Sequence, residues 1–245
     1  GMNRITLNIF DVTPLRAVIL ATVLSLAVTP LAAQDYQKGL AAAQAGDYAT
    51  ALQEWTPLAA DGDADAQYIL GQMYNIGLGV PQDLVEAVRL SRLAADQGHA
   101  TAQYILGVMY GNGQVVSQDY AEAVRLYRLA ADQGNALAQM NLGLLYEDGL
   151  GVLQDYAEAV RLYRLAADQG DALAQTFLGD MYRKGYGVLQ DNVMSHMWSN
   201  ISAANGNELG VTNRDSIAEG MTQQAIEQAQ AMARECMGSN YQNCG

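Results

Sequence analysis

The chain is 245 residues long, 50% hydrophobic and only 7% aromatic, with four prolines. That length suits one large domain or a repeat array, and a composition rich in Ala and Leu favours helices. A formal net charge of -13 without a basic stripe argues against nucleic-acid phosphates and anionic lipid as ligands, and leaves basic proteins and cationic ligands open.

Gly1 ahead of Met2 reads as an expression scar and is set aside from fold reasoning. Arg4 and Arg16 bring positive charge, and Ala17 to Val28, AVILATVLSLAV, is an almost unbroken apolar run. Thr29-Pro30, the small pair Ala32-Ala33 and the polar Gln34-Asp35 follow. These are the parts of a secretory signal over residues 1–33, with cleavage expected after Ala33 and a periplasmic or secreted mature chain. A retained anchor ranks second, because a 12-residue run falls short of the roughly 20 residues that span a bilayer. No stable membrane insertion is expected after cleavage.

Residues 34–62 read as a shortened, atypical helical unit with a tight Gly46-Asp47 turn. Four gap-free blocks of 36 residues follow: 63–98, 99–134, 135–170 and 171–206. Ala64, Ala66, Gln67, Leu70, Gly71, Tyr74, Gly77, Val80, Gln82, Asp83 and Gly98 of the first block are the same residue in the other three. Each block predicts two helices. In the first, Ala66, Ile69, Leu70, Met73 and Tyr74 lie at helical spacing. The recurring mid-helix glycine, Gly71 and its counterparts, predicts close helix–helix approach. The loop at Gly77-Leu78-Gly79-Val80 ends this helix. The second helix starts at Asp83, and Asp83 with Glu86 forms a capping-box pattern repeated at Asp119 with Glu122 and Asp155 with Glu158. Ala87, Leu90 and Ala94 make its inner stripe, and Arg92 is placed to pair with Asp96. His99, at a junction held elsewhere by Asp63, Asn135 and Asp171, is expected to cap the next helix.

Val115 stands where the other loops have Gly79, Gly151 and Gly187. A β-branched residue tolerates positive φ poorly, so this loop is expected to take another path. In the last block Met194 replaces the capping Glu and Trp198 replaces Leu, marking the transition to an end unit. Residues 207–245 leave the pattern; Thr222 is expected to cap a helix running through Met237. Cys236 and Cys244, a close pair in an exported chain, are expected to form a disulfide.

Ala-x-Ala-Gln, Leu70-Gly71-Gln72-Met73-Tyr74, Gly77-Leu78-Gly79-Val80 and the final Ala-Ala-x-x-Gly resemble the Sel1-like repeat, a relative of the tetratricopeptide repeat. The resemblance covers residues 35–206 and implies an all-α, right-handed α-solenoid of stacked antiparallel helix pairs with an adaptor role. Exported bacterial members of that family include regulators of sensor kinases and parts of polysaccharide export machinery. One branch has a disulfide inside each repeat and is linked to penicillin binding; here the repeats contain no cysteine.

No catalytic, metal or cofactor constellation is assembled in the sequence. Ser91, Ser117 and Ser195 have no partnered His motif, and adjacent helix residues such as Ser195 and His196 point in different directions. Gly77-x-Gly79 lacks the lysine and strand of a phosphate loop.

In an array, structural positions repeat and binding positions vary. The varied positions of the first helices are Asp65, Tyr68, Gln72 and Asn75; Thr101, Tyr104, Val108 and Gly111; Leu137, Met140, Leu144 and Glu147; and Leu173, Thr176, Asp180 and Arg183. Spacing of three, four and three puts each set on one helical face. By resemblance that face lines a concave groove, which would hold a protein or peptide partner. The other reading is that these residues are merely solvated, or that the apolar ones pack between repeats. The function expected is an exported interaction scaffold of envelope signalling or polysaccharide and envelope assembly. The alternative is an enzyme acting on cell-wall peptide or a β-lactam.

Overall fold

The computed structural model describes residues 30–113, 115–242 and 244, with side chains from residue 35 onward. The expected leader lies outside the described residues except for the backbone of 30–33, which is helical. Among the described residues there are twelve α-helices and no strand. The chain divides between Gln118 and Asp119 into two compact units.

The first unit holds α1 (Pro30–Gln44), α2 (Tyr48–Ala60), α3 (Ala64–Ile76), α4 (Leu84–Asp96) and α5 (Ala100–Asn112), each packed on the next. Its opening pair closes on Trp55, which is fully buried and donates Nε1–H to the Tyr36 carbonyl at 3.2 Å. Gly39 permits that approach, since a Cβ there would stand 2.5 Å from the indole nitrogen.

The second unit holds α6 (Tyr120–Asp132), α7 (Ala136–Asp148), α8 (Tyr156–Ala167), α9 (Ala172–Lys184), α10 (Asn192–Ala204), α11 (Glu208–Ala218) and α12 (Gln223–Gly238). Helices α6 to α10 stack in order, and α11 and α12 both pack on α10. One apolar core joins Leu144, Tyr163, Leu178, Trp198 and Ile201 to Ala229, Ala233 and Cys236 of α12. Cys236 and Cys244 are disulfide-bonded, with Cα atoms 4.6 Å apart. The tail also rests on Asn205, whose amide bonds the Tyr241 hydroxyl at 2.9 Å.

First helices are capped as their junction residues imply. Asp63, Asn135 and Asp171 accept from the N–H three residues on, and His99 Nδ1 does the same for Ala102 at 3.1 Å. Gly71, Gly143 and Gly179 lie where helices meet closely: a Cβ would stand 3.2 Å from Ser91 Oγ, 2.7 Å from the Tyr163 ring and 3.0 Å from Ser199 Oγ, respectively.

Three expectations need correction. The capping box forms only on one side. Asp83, Asp119 and Asp155 cap their helices, but the Asp83 and Asp155 N–H groups already bond the Tyr74 and Tyr146 carbonyls at 3.0 Å. Glu86, Glu122 and Glu158 turn instead to Arg89, Arg125 and Arg161, each held by two hydrogen bonds. Arg92 does not pair with Asp96 but donates to the Tyr110 hydroxyl at 2.8 Å. Arg128–Tyr146 and Arg164–Tyr182 repeat that bond in the second unit at 2.7 and 2.6 Å. An exposed pair four residues apart is worth only about 0.3–0.5 kcal/mol, so a bond that ties one repeat to the next prevails.

The third correction concerns Val115, which has φ +66, close to the +74, +70 and +70 of Gly79, Gly151 and Gly187. Val115 keeps the left-handed backbone of its glycine counterparts despite its side chain. Val115→Gly is therefore expected to raise stability by about 1 kcal/mol, the relief of left-handed strain less the extra chain entropy of glycine. Denaturant melts of the two proteins check this, and an unchanged or lowered midpoint for the variant removes the strain argument.

Candidate functional site

The stripe residues expected to bind a partner do not all reach the surface. On α3, Tyr68 and Gln72 are buried, and Tyr68 stacks on the His99 ring at 4.6 Å between centroids. Burial, with a smaller contribution from Tyr36, pushes the Tyr68 hydroxyl up to about 12. Asp65 stays partly open and meets His99 Nε2 at 3.2 Å, which with the Nδ1 cap fits the neutral tautomer protonated on Nε2. Asn75 is half-buried. On α5, Val108 is buried while Thr101 and Tyr104 are half-buried.

On α7, Met140 and Leu144 belong to the core, and Glu147 accepts the Tyr163 hydroxyl proton at 2.7 Å inside it. On α9, Thr176 is buried, with its hydroxyl 2.7 Å from that of Ser202. Asp180 is paired with both Arg183 and Lys184. Burial works against its charge, but the Lys184 and Arg183 contacts win and hold its carboxyl below the usual range. Surface therefore remains at Asp65, Asn75, Thr101, Tyr104, Leu137, Asp180 and Arg183. Val108, Met140 and Leu144 are buried, as the packing reading of the apolar positions had it; Tyr68, Gln72, Glu147 and Thr176 are buried as well, which that reading did not include. Helical spacing shows that residues share a face, and it does not show which face meets a neighbouring helix.

Sequence reasoning also passed over the repeated glutamines. Gln67, Gln103, Gln139 and Gln175 are buried, and each donates its amide to the carbonyl of Ala59, Ala95, Ala131 or Ala167, in the last turn of the preceding helix. In Gln67, Gln139 and Gln175 the amide oxygen accepts in turn from Gln97, Gln169 or Asn205. A polar residue fixed in every block was the available signal, since a buried amide must be fully bonded.

Of the candidate nucleophiles, Ser117 is exposed and the other two are enclosed. Ser91 and Ser195 are fully buried, and Ser195 Oγ donates to the Gly179 carbonyl at 2.6 Å. His196 is buried with Nδ1 unpartnered. Burial first, then the Arg214 charge, lower its basicity against an opposing pull from Asp215. In the unfolded chain His196 titrates near its ordinary value of about 6.5. Below that pH the unfolded state takes up a proton that the folded state refuses, so stability falls with acidity until the lower folded value is passed. His196→Phe should flatten this slope, by up to about 1.4 kcal/mol per pH unit. Equal slopes in urea melts from pH 7 to 5 would show that the imidazole is not held neutral.

A cavity of about 650 Å³ in the second unit is lined by Arg164, Asp168, Met197, Met232, Glu235, Tyr241, Gln242 and Cys244. Sequence reading gave no sign of it, because its tail wall is placed by the cap and the disulfide.

A model of the Sel1 repeat matches residues 64–99, 100–135, 136–171 and 172–207. The chain belongs to the Sel1 repeat family. A crystal structure of a Sel1 repeat protein from Oxalobacter formigenes is 29% identical with TM-score 0.71, covering 85% of this chain and 91% of that one. A protective antigen of uropathogenic Escherichia coli strains that displays an SLR fold is 26% identical with TM-score 0.58. That match covers 86% of this chain and 53% of the antigen, about half its length. No curated protein matches the chain. The fold is thus the α-solenoid of stacked helix pairs shared by Sel1 proteins, which are generally protein-interaction scaffolds. In this Sel1 chain the repeated Gln, Arg and Tyr residues bond one helix to the next.

Proposed function

We propose that this Sel1 repeat protein is an exported scaffold that holds a protein or peptide segment in the bacterial envelope, in signalling or in polysaccharide and envelope assembly, with no chemistry of its own. The observation that carries this reading is how the polar side chains are used. Each capping Asp serves a helix start, each repeated Gln a helix end, and the repeated Arg residues serve Glu or Tyr. The serine beside His196 is spent on a backbone carbonyl. Export is supported by the leader sequence and by the terminal disulfide.

The test is expression of the full chain with a C-terminal tag in a Gram-negative host. A periplasmic product starting at Gln34 is expected, and a full-length cytosolic product overturns export. Photo-crosslinking residues placed at Asn75, Tyr104 or Arg183 should trap one defined protein in the native envelope. Absence of any crosslinked partner from all three positions overturns the scaffold reading.

A further inference from the structure

The cavity of the second unit differs from the faces around it. Its floor carries Arg164 and Asp168 of α8 and its C-cap, residues that have counterparts in Arg92 and Asp96 and in Arg128 and Asp132. Asp96 and Asp132 are exposed, whereas Asp168 is half-buried, because Met232 and Glu235 of α12 and the disulfide-closed tail overhang it. The cap therefore converts a repeated surface position into one wall of a pocket.

The charges within that pocket are unevenly satisfied. The Arg164 guanidinium donates to the Tyr182 hydroxyl at 2.6 Å and lies over the Trp198 ring at 5.2 Å, so it is committed to the wall. Among the described residues, neither the Asp168 nor the Glu235 carboxylate makes a hydrogen bond or ion pair, although both line the cavity. Burial raises the Asp168 pKa, and the attraction of Arg164 offsets this only in part. An entering cation would restore what burial takes from that carboxylate. The Met232 side chain and the Tyr241 ring supply apolar surface beside the carboxylates, and the Met197 side chain lies buried behind them.

We propose that this cavity receives a lysine or arginine side chain of a partner polypeptide, its aliphatic stem against Met232 and Tyr241, over the buried Met197, and its charged head between Asp168 and Glu235. The overall charge of -13 favours approach of a basic segment. The inference rests on the scaffold reading and adds to it a site and a ligand chemistry.

The test is titration of the full-length protein, labelled with 13C at the methionine methyls, with Nα-acetyl-lysine amide. Saturable, salt-sensitive shifts at Met197 and Met232 are expected, and Nα-acetyl-norleucine amide should give none. Asp168→Asn or Glu235→Gln should weaken binding about tenfold or more, the loss of one charge-assisted hydrogen bond. Asp132→Asn, at the equivalent position on α6 outside the cavity, should bind as the parent does. No saturable shift, an equal response to norleucine or to Nα-acetyl-glutamate amide, shifts only at other methionines, or parental affinity in both carboxylate variants overturns the site. Such a failure leaves the scaffold reading standing, because that depends on crosslinking from the first helices.

Discussion

Trp198→Ala is expected to remove about 3–5 kcal/mol from the stability of the second unit. Trp198 is fully buried at the position held by Leu90, Leu126 and Leu162 in the other repeats. It shares a core with Met181, Ile201 and Ala233, and so joins the last repeat to the helix that covers it. Its ring is also the surface on which Arg164 lies. Truncation to Ala leaves a large cavity that small neighbours such as Ala229 and Ala233 cannot fill. Restoring the array residue with Trp198→Leu should cost less, about 2 kcal/mol, because part of the volume is kept.

Trp198→Phe separates packing from polarity. The indole Nε1–H is buried without a partner, so removing it relieves a desolvation penalty. That relief offsets the lost ring volume, and the Phe variant is expected within about 1 kcal/mol of the parent. Hydrogen exchange of second-unit amides measures all three variants. A loss below about 1 kcal/mol for Trp198→Ala would show that the cap does not depend on this side chain.

The second large effect is expected at Gly187. Its φ is +70, and a Cβ would stand 2.2 Å from the Tyr156 carbonyl oxygen. Val115 shows that the dihedral alone is tolerable at the equivalent loop position. The obstacle at Gly187 is therefore the approach to backbone, which cannot rotate away as a side chain can. Making room means lifting the loop, and that separates Tyr186 from Tyr156, whose rings stack at 4.7 Å. Gly187→Ala should cost about 3 kcal/mol, strain and lost packing together. Gly134 provides the comparison: its φ is +88, but a Cβ there meets nothing within 4 Å. Gly134→Ala should cost only about 1 kcal/mol. Similar losses in the two variants, measured by urea denaturation, would assign the whole effect to the dihedral.

The repeat itself was plain in the sequence. Identity at fixed spacing located the helix pairs, the capping Asp residues and the close glycines, because these depend on local chemistry that each block carries with it. The same regularity misled at Glu86, whose capping partner was already bonded to Tyr74 from the preceding helix. It also misled at Arg92, which found a tyrosine 18 residues away rather than an aspartate 4 away.

The binding stripe was only partly legible. Its residues do share faces, but Met140 and Leu144 face the core while Asp65 and Arg183 keep surface. Variation along an array marks a change of neighbour as readily as a change of ligand.

The sequence by itself determined the helical repeat and the residues that cap its helix starts, because those follow from propensity and from bonds made within a few residues. Only the tertiary structure decided which face of each first helix was covered, how the repeated polar groups were shared between helices, and that the tail encloses a cavity over Asp168. Those outcomes depend on which distant surfaces come together, and a periodic sequence offers several faces of similar composition to meet.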